Sequence, residues 1–183
     1  MFSLPNLLTF FRIAAIVPIV ALFYVDAEWA SWSAFGLFAL AGVTDFFDGY
    51  LARATGQVSK LGRFLDPIAD KLLIASVLLM LVSSDRLTDL AVLPALVILI
   101  REIAVSGLRE FLAELQVGMP VSRLAKWKTL IQILALGFLI VGEASPEPIP
   151  GMLIGETLIW LAALLTLVTG MDYLRAGIRH ITD

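Results

Sequence analysis

Six runs of roughly twenty mostly apolar residues, at 7–24, 29–53, 62–83, 88–110, 122–141 and 152–174, divide this chain and leave only short polar joints between them. An α-helix needs about 20 such residues to cross the hydrocarbon core of a bilayer. In lipid, helices satisfy every backbone N–H and C=O within a single segment. The expected architecture is therefore an all-α membrane protein with six transmembrane helices. Of the 183 residues, 60% are hydrophobic, against the ~45–50% usual for soluble domains. No stretch remains for a second, soluble domain, so residues 1–183 form one unit. Two of the runs carry several charges, and hydropathy alone would score only four or five spans.

The distribution of charge sets the orientation. With the N-terminus in the cytoplasm, every Lys and Arg except Arg86 falls at or near an inner helix end. The outer joints are acidic: Asp26 and Glu28, then Asp85 and Asp89, then Glu143 and Glu147. This is the positive-inside bias, and six spans with both termini cytoplasmic fit every joint. The first residues lack a basic segment and a small-residue cleavage site, so they read as a retained first helix. The chain has no cysteine, which excludes disulfides and thiolate metal sites. The partner this composition calls for is a lipid bilayer, not nucleic acid.

Against this apolar background, four aspartates stand out. The second run ends Thr44-Asp-Phe-Phe-Asp-Gly-Tyr-Leu-Ala-Arg53 and the third begins Gly62-Arg-Phe-Leu-Asp-Pro-Ile-Ala-Asp-Lys71. An ionised side chain at mid-bilayer costs about 2.5–3.5 kcal/mol on insertion scales, so placement, pairing or bound cations must offset the charge. At ~100° per residue, Asp45, Asp48, Gly49 and Ala52 share one helical face, and Gly62, Asp66 and Asp70 share another. Two helices joined by a short inner loop run antiparallel. Asp48 lies about 10 Å before the loop and Asp66 about as far after it, at ~1.5 Å per residue. The two acidic faces can thus meet at one depth in the cytoplasmic third of the membrane, with small residues leaving room for a ligand.

Clustered carboxylates repel unless cations neutralise them, and oxygen-only ligation selects hard ions such as Mg²⁺, Mn²⁺ or Ca²⁺. No histidine lies nearby to favour zinc. Mg²⁺ keeps open positions for phosphate oxygens, which points to a diphosphate substrate, and two metals can clamp both oxygens of an in-line displacement. Arg53 adds a phosphate contact at the same end. The competing reading makes each Asp a solvated helix end, or a partner of Lys60, Arg63 or Lys71. Two pairs on facing helices, with glycines between them, argue against it.

The run Asp45-x-x-Asp48-Gly49-x-x-Ala52-Arg53, eight residues, then Gly62-x-x-x-Asp66-x-x-x-Asp70 resembles the full signature of the CDP-alcohol phosphotransferases, with every position filled. The resemblance implies that family's fold: six transmembrane helices, a homodimer, and a catalytic site open to the cytoplasm of a bacterial inner membrane. It implies Mg²⁺ or Mn²⁺, two per site, held by Asp45, Asp48 and Asp66, with Asp70 as a further ligand or as general base. It also implies a nucleotide pocket formed by Asp48, Gly49, Ala52, Arg53, Gly62 and Asp66. Asn6 joins that pocket or simply caps the first helix.

Other stretches are similar to the phosphatidylglycerophosphate synthase branch of that family. They are Pro5-Asn6-x-x-Thr9-x-x-Arg12, Asp66-Pro67-x-Ala69-Asp70-Lys71, Arg101-Glu102-x-x-x-Ser106-x-x-Arg109-Glu110 and Lys126-x-Lys128-Thr129, all within the first 130 or so residues. This implies transfer of a phosphatidyl group from CDP-diacylglycerol to sn-glycerol 3-phosphate, giving phosphatidylglycerophosphate and CMP, with Asp70 accepting the hydroxyl proton. Arg101, Arg109, Lys126 and Lys128 are then the candidate contacts for the acceptor's phosphate. Inner-side topology and anionic headgroups offer another reason for the two lysines. Two rival functions stand beside this one. The first is the same chemistry on inositol phosphate, serine or phosphatidylglycerol. The second is a small cation transporter with an intramembrane acidic site.

Overall fold

The structure is a computed structural model. It describes residues 4–55, 60–117 and 122–182, with the side chains at 4–5, 45–55, 60, 63 and 176–182 outside the description. The six apolar runs become six helices: α1 (Leu4–Leu22), α2 (Glu28–Thr55), α3 (Lys60–Ser83), α4 (Val92–Glu114), α5 (Arg123–Val141) and α6 (Gly151–Thr182). No strand occurs among the described residues.

Local chemistry ends the helices where the apolar runs end. After α3, Asp85 takes a left-handed φ of 55°, and the N–H groups of Arg86 and Leu87 both donate to the Leu81 carbonyl at 3.0 Å. Asp tolerates that conformation better than most residues. Ser122 starts α5 by accepting from the Ala125 N–H at 3.2 Å, an N-cap that satisfies one orphan donor. Gly142, at φ +57°, turns the chain away at the other end of α5. The last helix runs on to Thr182, past the apolar stretch 152–174, because no Pro or helix-ending Gly turn stops it.

Helix α1 packs against both α2 and α3, α5 against α6 and α2, and α6 against α4. Ile19, Phe38, Val77, Leu81, Ile98, Leu136 and Ile159 form the shared core. Outward, long apolar side chains stand exposed along the bundle, among them Val17, Leu79, Ile103 and Leu153. A surface of this kind suits lipid and would be a liability in water.

Among the described residues, three segments are long and apolar enough to cross a membrane: Asp89–Glu114, Arg123–Ala144 and Gly151–Arg175. The apolar part of α1, Asn6–Leu22, is shorter. Six runs were expected to span, and hydropathy was expected to score four or five. Asp66, Asp70 and Lys71 interrupt the apolar stretch of α3, and the side chains at the end of α2 lie outside the description.

Candidate active site

Helix α3 presents Gly62, Asp66 and Asp70 one turn apart, as their four-residue spacing requires. Gly62 and Ala69 are buried against the bundle, while Asp66 and Asp70 open onto a cavity of about 380 Å³ between α3 and α4. Across it, α4 contributes Arg101, Glu102, Ser106 and Arg109, again at helical spacing. Two predicted aspartates and two predicted phosphate-binding arginines thus line one space.

A polar face of α1 meets Asp66. Asn6, Thr9 and Arg12, three residues apart, are all buried, at 3%, 1% and 0% exposure. Thr9 Oγ1 donates a hydrogen bond to Asp66 Oδ1. In the sequence, Thr9 falls within the stretch 5–12, and spacing alone assigns it no task. The available signal was polar residues recurring every third position in an otherwise apolar helix.

The basic residues form a network centred on Glu102, whose side chain is 12% exposed. Its Oε1 accepts from Lys128 Nζ and from Arg101 Nη1 at 3.4 Å. Its Oε2 lies 3.8 Å from Lys71 Nζ, and Lys71 in turn donates to Asp70 Oδ2 at 2.9 Å. Arg101 is further held from α6: Nη2 donates to Thr169 Oγ1 at 3.1 Å, and the guanidinium carbon stands 5.6 Å from the Tyr173 ring centre. Lys128 is buried at 4% exposure; it holds Glu102 and does not line the cavity. Lys126 is exposed and is not among the residues lining that space. Arg109 is exposed on the cavity wall and makes no ion pair among the described residues.

Asp45, Asp48, Gly49, Ala52 and Arg53 lie on the last turns of α2, where the backbone is helical. Their side chains fall outside the described residues. Only residues 56–59 separate α2 from α3, so the two helix ends stand within about 19 Å, five steps of ~3.8 Å.

The donor set suits a hard divalent cation. Asp66 spends Oδ1 on Thr9, and Asp70 spends Oδ2 on Lys71. Each carboxylate has a second oxygen that these two bonds do not use. Oxygen ligands of this type match Mg²⁺ or Mn²⁺. Among the described residues no group of three candidate ligands is assembled. The remaining ligands would come from Asp45 and Asp48.

The sequence profile of a family described as CDP-alcohol phosphatidyltransferase matches residues 2–168. A protein of Rickettsia bellii, named CDP-diacylglycerol–glycerol-3-phosphate 3-phosphatidyltransferase, is 48% identical over 174 residues, covering 95% of this chain and 94% of its own. A Pseudomonas fluorescens protein of the same name is 42% identical over 182 residues, covering 98% and 92%. One from Cereibacter sphaeroides is 39% identical over 216 residues, covering 99% and 98%.

Proposed function

Since the chain belongs to the CDP-alcohol phosphatidyltransferase family, we propose that it transfers the phosphatidyl group of CDP-diacylglycerol to sn-glycerol 3-phosphate, releasing CMP. The observation that carries this reading is the cavity in which Asp66 and Asp70 of α3 face Arg101 and Arg109 of α4. The near-full-length likeness to relatives bearing that enzyme name supports the choice of acceptor.

In this reading, Asp45, Asp48 and Asp66 hold two Mg²⁺ or Mn²⁺ ions, and Asp70 is the general base beside them. When bound, the metals neutralise diphosphate charge and stabilise the leaving CMP. Asn6, Gly49, Ala52, Arg53 and Gly62 border the nucleotide. Arg109 receives the acceptor's phosphate, with Arg101 behind it. An arginine fork matches phosphate geometry and supplies parallel N–H donors. Asp70 Oδ1 accepts the acceptor's hydroxyl proton as that oxygen forms its bond to the lipid-linked phosphorus. The bond from that phosphorus to CMP breaks, and the proton stays on Asp70. Lys71, donating to Oδ2, keeps the carboxylate oriented for this transfer.

The same reading includes six transmembrane crossings, both termini cytoplasmic, a cytoplasm-facing site in an inner membrane, and a homodimer. The charge distribution supports the orientation, with Arg86 as the one basic residue on the outer side. The α3–α4 cavity then opens at the inner side, where a water-soluble acceptor arrives. The deciding experiment gives purified protein CDP-diacylglycerol, Mg²⁺ or Mn²⁺, and each acceptor alcohol in turn. CMP release with glycerol 3-phosphate is expected. Release with serine or an inositol phosphate instead would overturn the assignment.

A further inference from the structure

The cavity's cations are already engaged before any substrate phosphate is considered. Lys71 is shared between Asp70 at 2.9 Å and Glu102 at 3.8 Å. Arg101 is shared between Glu102 at 3.4 Å and Thr169 at 3.1 Å. Lys128, behind them, is buried against Glu102. Of the basic side chains lining the space, Arg109 is the one without an ion pair among the described residues. A single carboxylate, itself mostly buried, thus stands among three cations from three helices, α3, α4 and α5, and shares one of them with Asp70.

We propose that Glu102 is a place-holding anion: it occupies the cation cluster while the acceptor is absent and yields Arg101 and Lys71 to the acceptor's phosphate on binding. The proposal rests on the reading of this cavity as the acceptor site. A buried ammonium or guanidinium without a counter-charge is costly, so an empty phosphate pocket built of cations needs an internal anion. That anion must also be outcompeted. A phosphate carrying nearly two negative charges and three acceptor oxygens can draw two cations away from one carboxylate. A neutral polyol, or the single carboxylate of an amino acid beside its own ammonium, cannot. Glu102 then acts as a specificity determinant through competition and touches no reacting atom.

The test is binding, measured by equilibrium dialysis of radiolabelled sn-glycerol 3-phosphate against the full-length protein in detergent, with inorganic phosphate as a second probe. Glu102→Gln keeps an acceptor oxygen for Lys128 and Arg101 but removes the charge that competes with the ligand. Affinity for both probes is expected to rise roughly tenfold, about 1.4 kcal/mol, with affinity for CDP unchanged. A residue serving only the fold would lower affinity or leave it unaltered when replaced, and either result overturns the proposal. Should Glu102→Gln fail to fold, the double variant Glu102→Gln/Lys128→Met removes both members of the buried pair. It is read by the same criterion, because Arg101 and Lys71 are again released from the Glu102 charge. The functional reading fails separately: wild-type protein that releases no CMP with glycerol 3-phosphate sinks that reading, whatever Glu102 variants bind.

Discussion

Thr9, buried on α1, donates its hydroxyl hydrogen bond to Asp66 on α3, so the first helix holds a carboxylate of the candidate site from outside the acidic motif. The contact engages Oδ1, and in the proposed function the carboxylate's other oxygen would hold a metal. Partners one step removed from a metal ligand commonly contribute ten- to hundredfold to affinity. Thr9→Val keeps the shape and deletes the donor, so Mn²⁺ affinity, read by electron paramagnetic resonance of the free ion, should fall roughly tenfold. Thr9→Ser should restore most of it. Unchanged Mn²⁺ binding in the valine variant would make the contact incidental.

Asp70 differs from Asp66 in its partner: it holds Lys71 at 2.9 Å and is 43% exposed at the side chain. Asp70→Asn preserves size and hydrogen bonding but cannot take a proton. Turnover should fall by a factor on the order of 10³ or more, within the usual range for loss of a general base, while CDP-lipid binding stays largely intact. Equal losses of binding and turnover would make Asp70 chiefly a metal ligand.

Arg109 contributes to the cavity from the C-terminal part of α4 without an ion pair among the described residues. Arg109→Ala should raise the KM for glycerol 3-phosphate by roughly tenfold or more, the size of a lost charge-assisted hydrogen bond of about 1.5–3 kcal/mol. The KM for CDP-diacylglycerol should hardly move. Parallel increases in both would take Arg109 out of the acceptor pocket.

The element list was legible in the sequence because each helix coincides with one apolar run, and Pro, Gly or charge closes most of them. Asp66 and Asp70 were legible as one face from spacing alone, and Arg101 with Arg109 likewise. What spacing does not encode is which neighbour a helix packs on. Thr9 gained its role because α1 lies against α3, a tertiary fact. Glu102 follows Arg101 directly in sequence, and nothing local says that its carboxylate turns toward Lys128 and Lys71. Lys128 read as a cavity cation beside Lys126, but the packing of α5 buries it behind Glu102 and leaves Lys126 exposed.

At the opposite end of the bundle, Arg86 fastens three elements without touching the site. Nη1 donates to the Leu139 carbonyl at 3.3 Å and to that of Ile140, and Nη2 donates to Ser31 Oγ at 2.9 Å. Its guanidinium carbon lies 5.2 Å from the Phe23 ring centre. Burial pushes the guanidinium below its usual range and Glu143 pushes back, though an arginine stays charged throughout. Lysine has no planar fork to reach α5 and α2 together. Arg86→Lys should therefore lower the detergent Tm, with a stability loss of about 1.5–3 kcal/mol, and leave both KM values unchanged. A selective rise in the acceptor KM would contradict a purely structural clasp.

Gly170 on α6 connects packing to specificity. A Cβ built there would stand 2.9 Å from Arg101 Cγ and 3.5 Å from its Nε. The absent side chain is therefore what lets the arginine's stem pass α6 on its way to Thr169 and Glu102. Gly170→Ala leaves the backbone unstrained, since a helical glycine gives way to alanine with a propensity gain of up to about 1 kcal/mol. Against that gain, the Arg101 stem must shift, and its contacts at 3.1 Å and 3.4 Å lie at its far end, where a small displacement is amplified. The expected outcome is a variant that melts close to wild type but binds acceptor several-fold more weakly, with the lipid KM unaffected. If Gly170→Ala instead lowered Tm and left the acceptor KM alone, the arginine would have adjusted and the glycine would serve helix packing only.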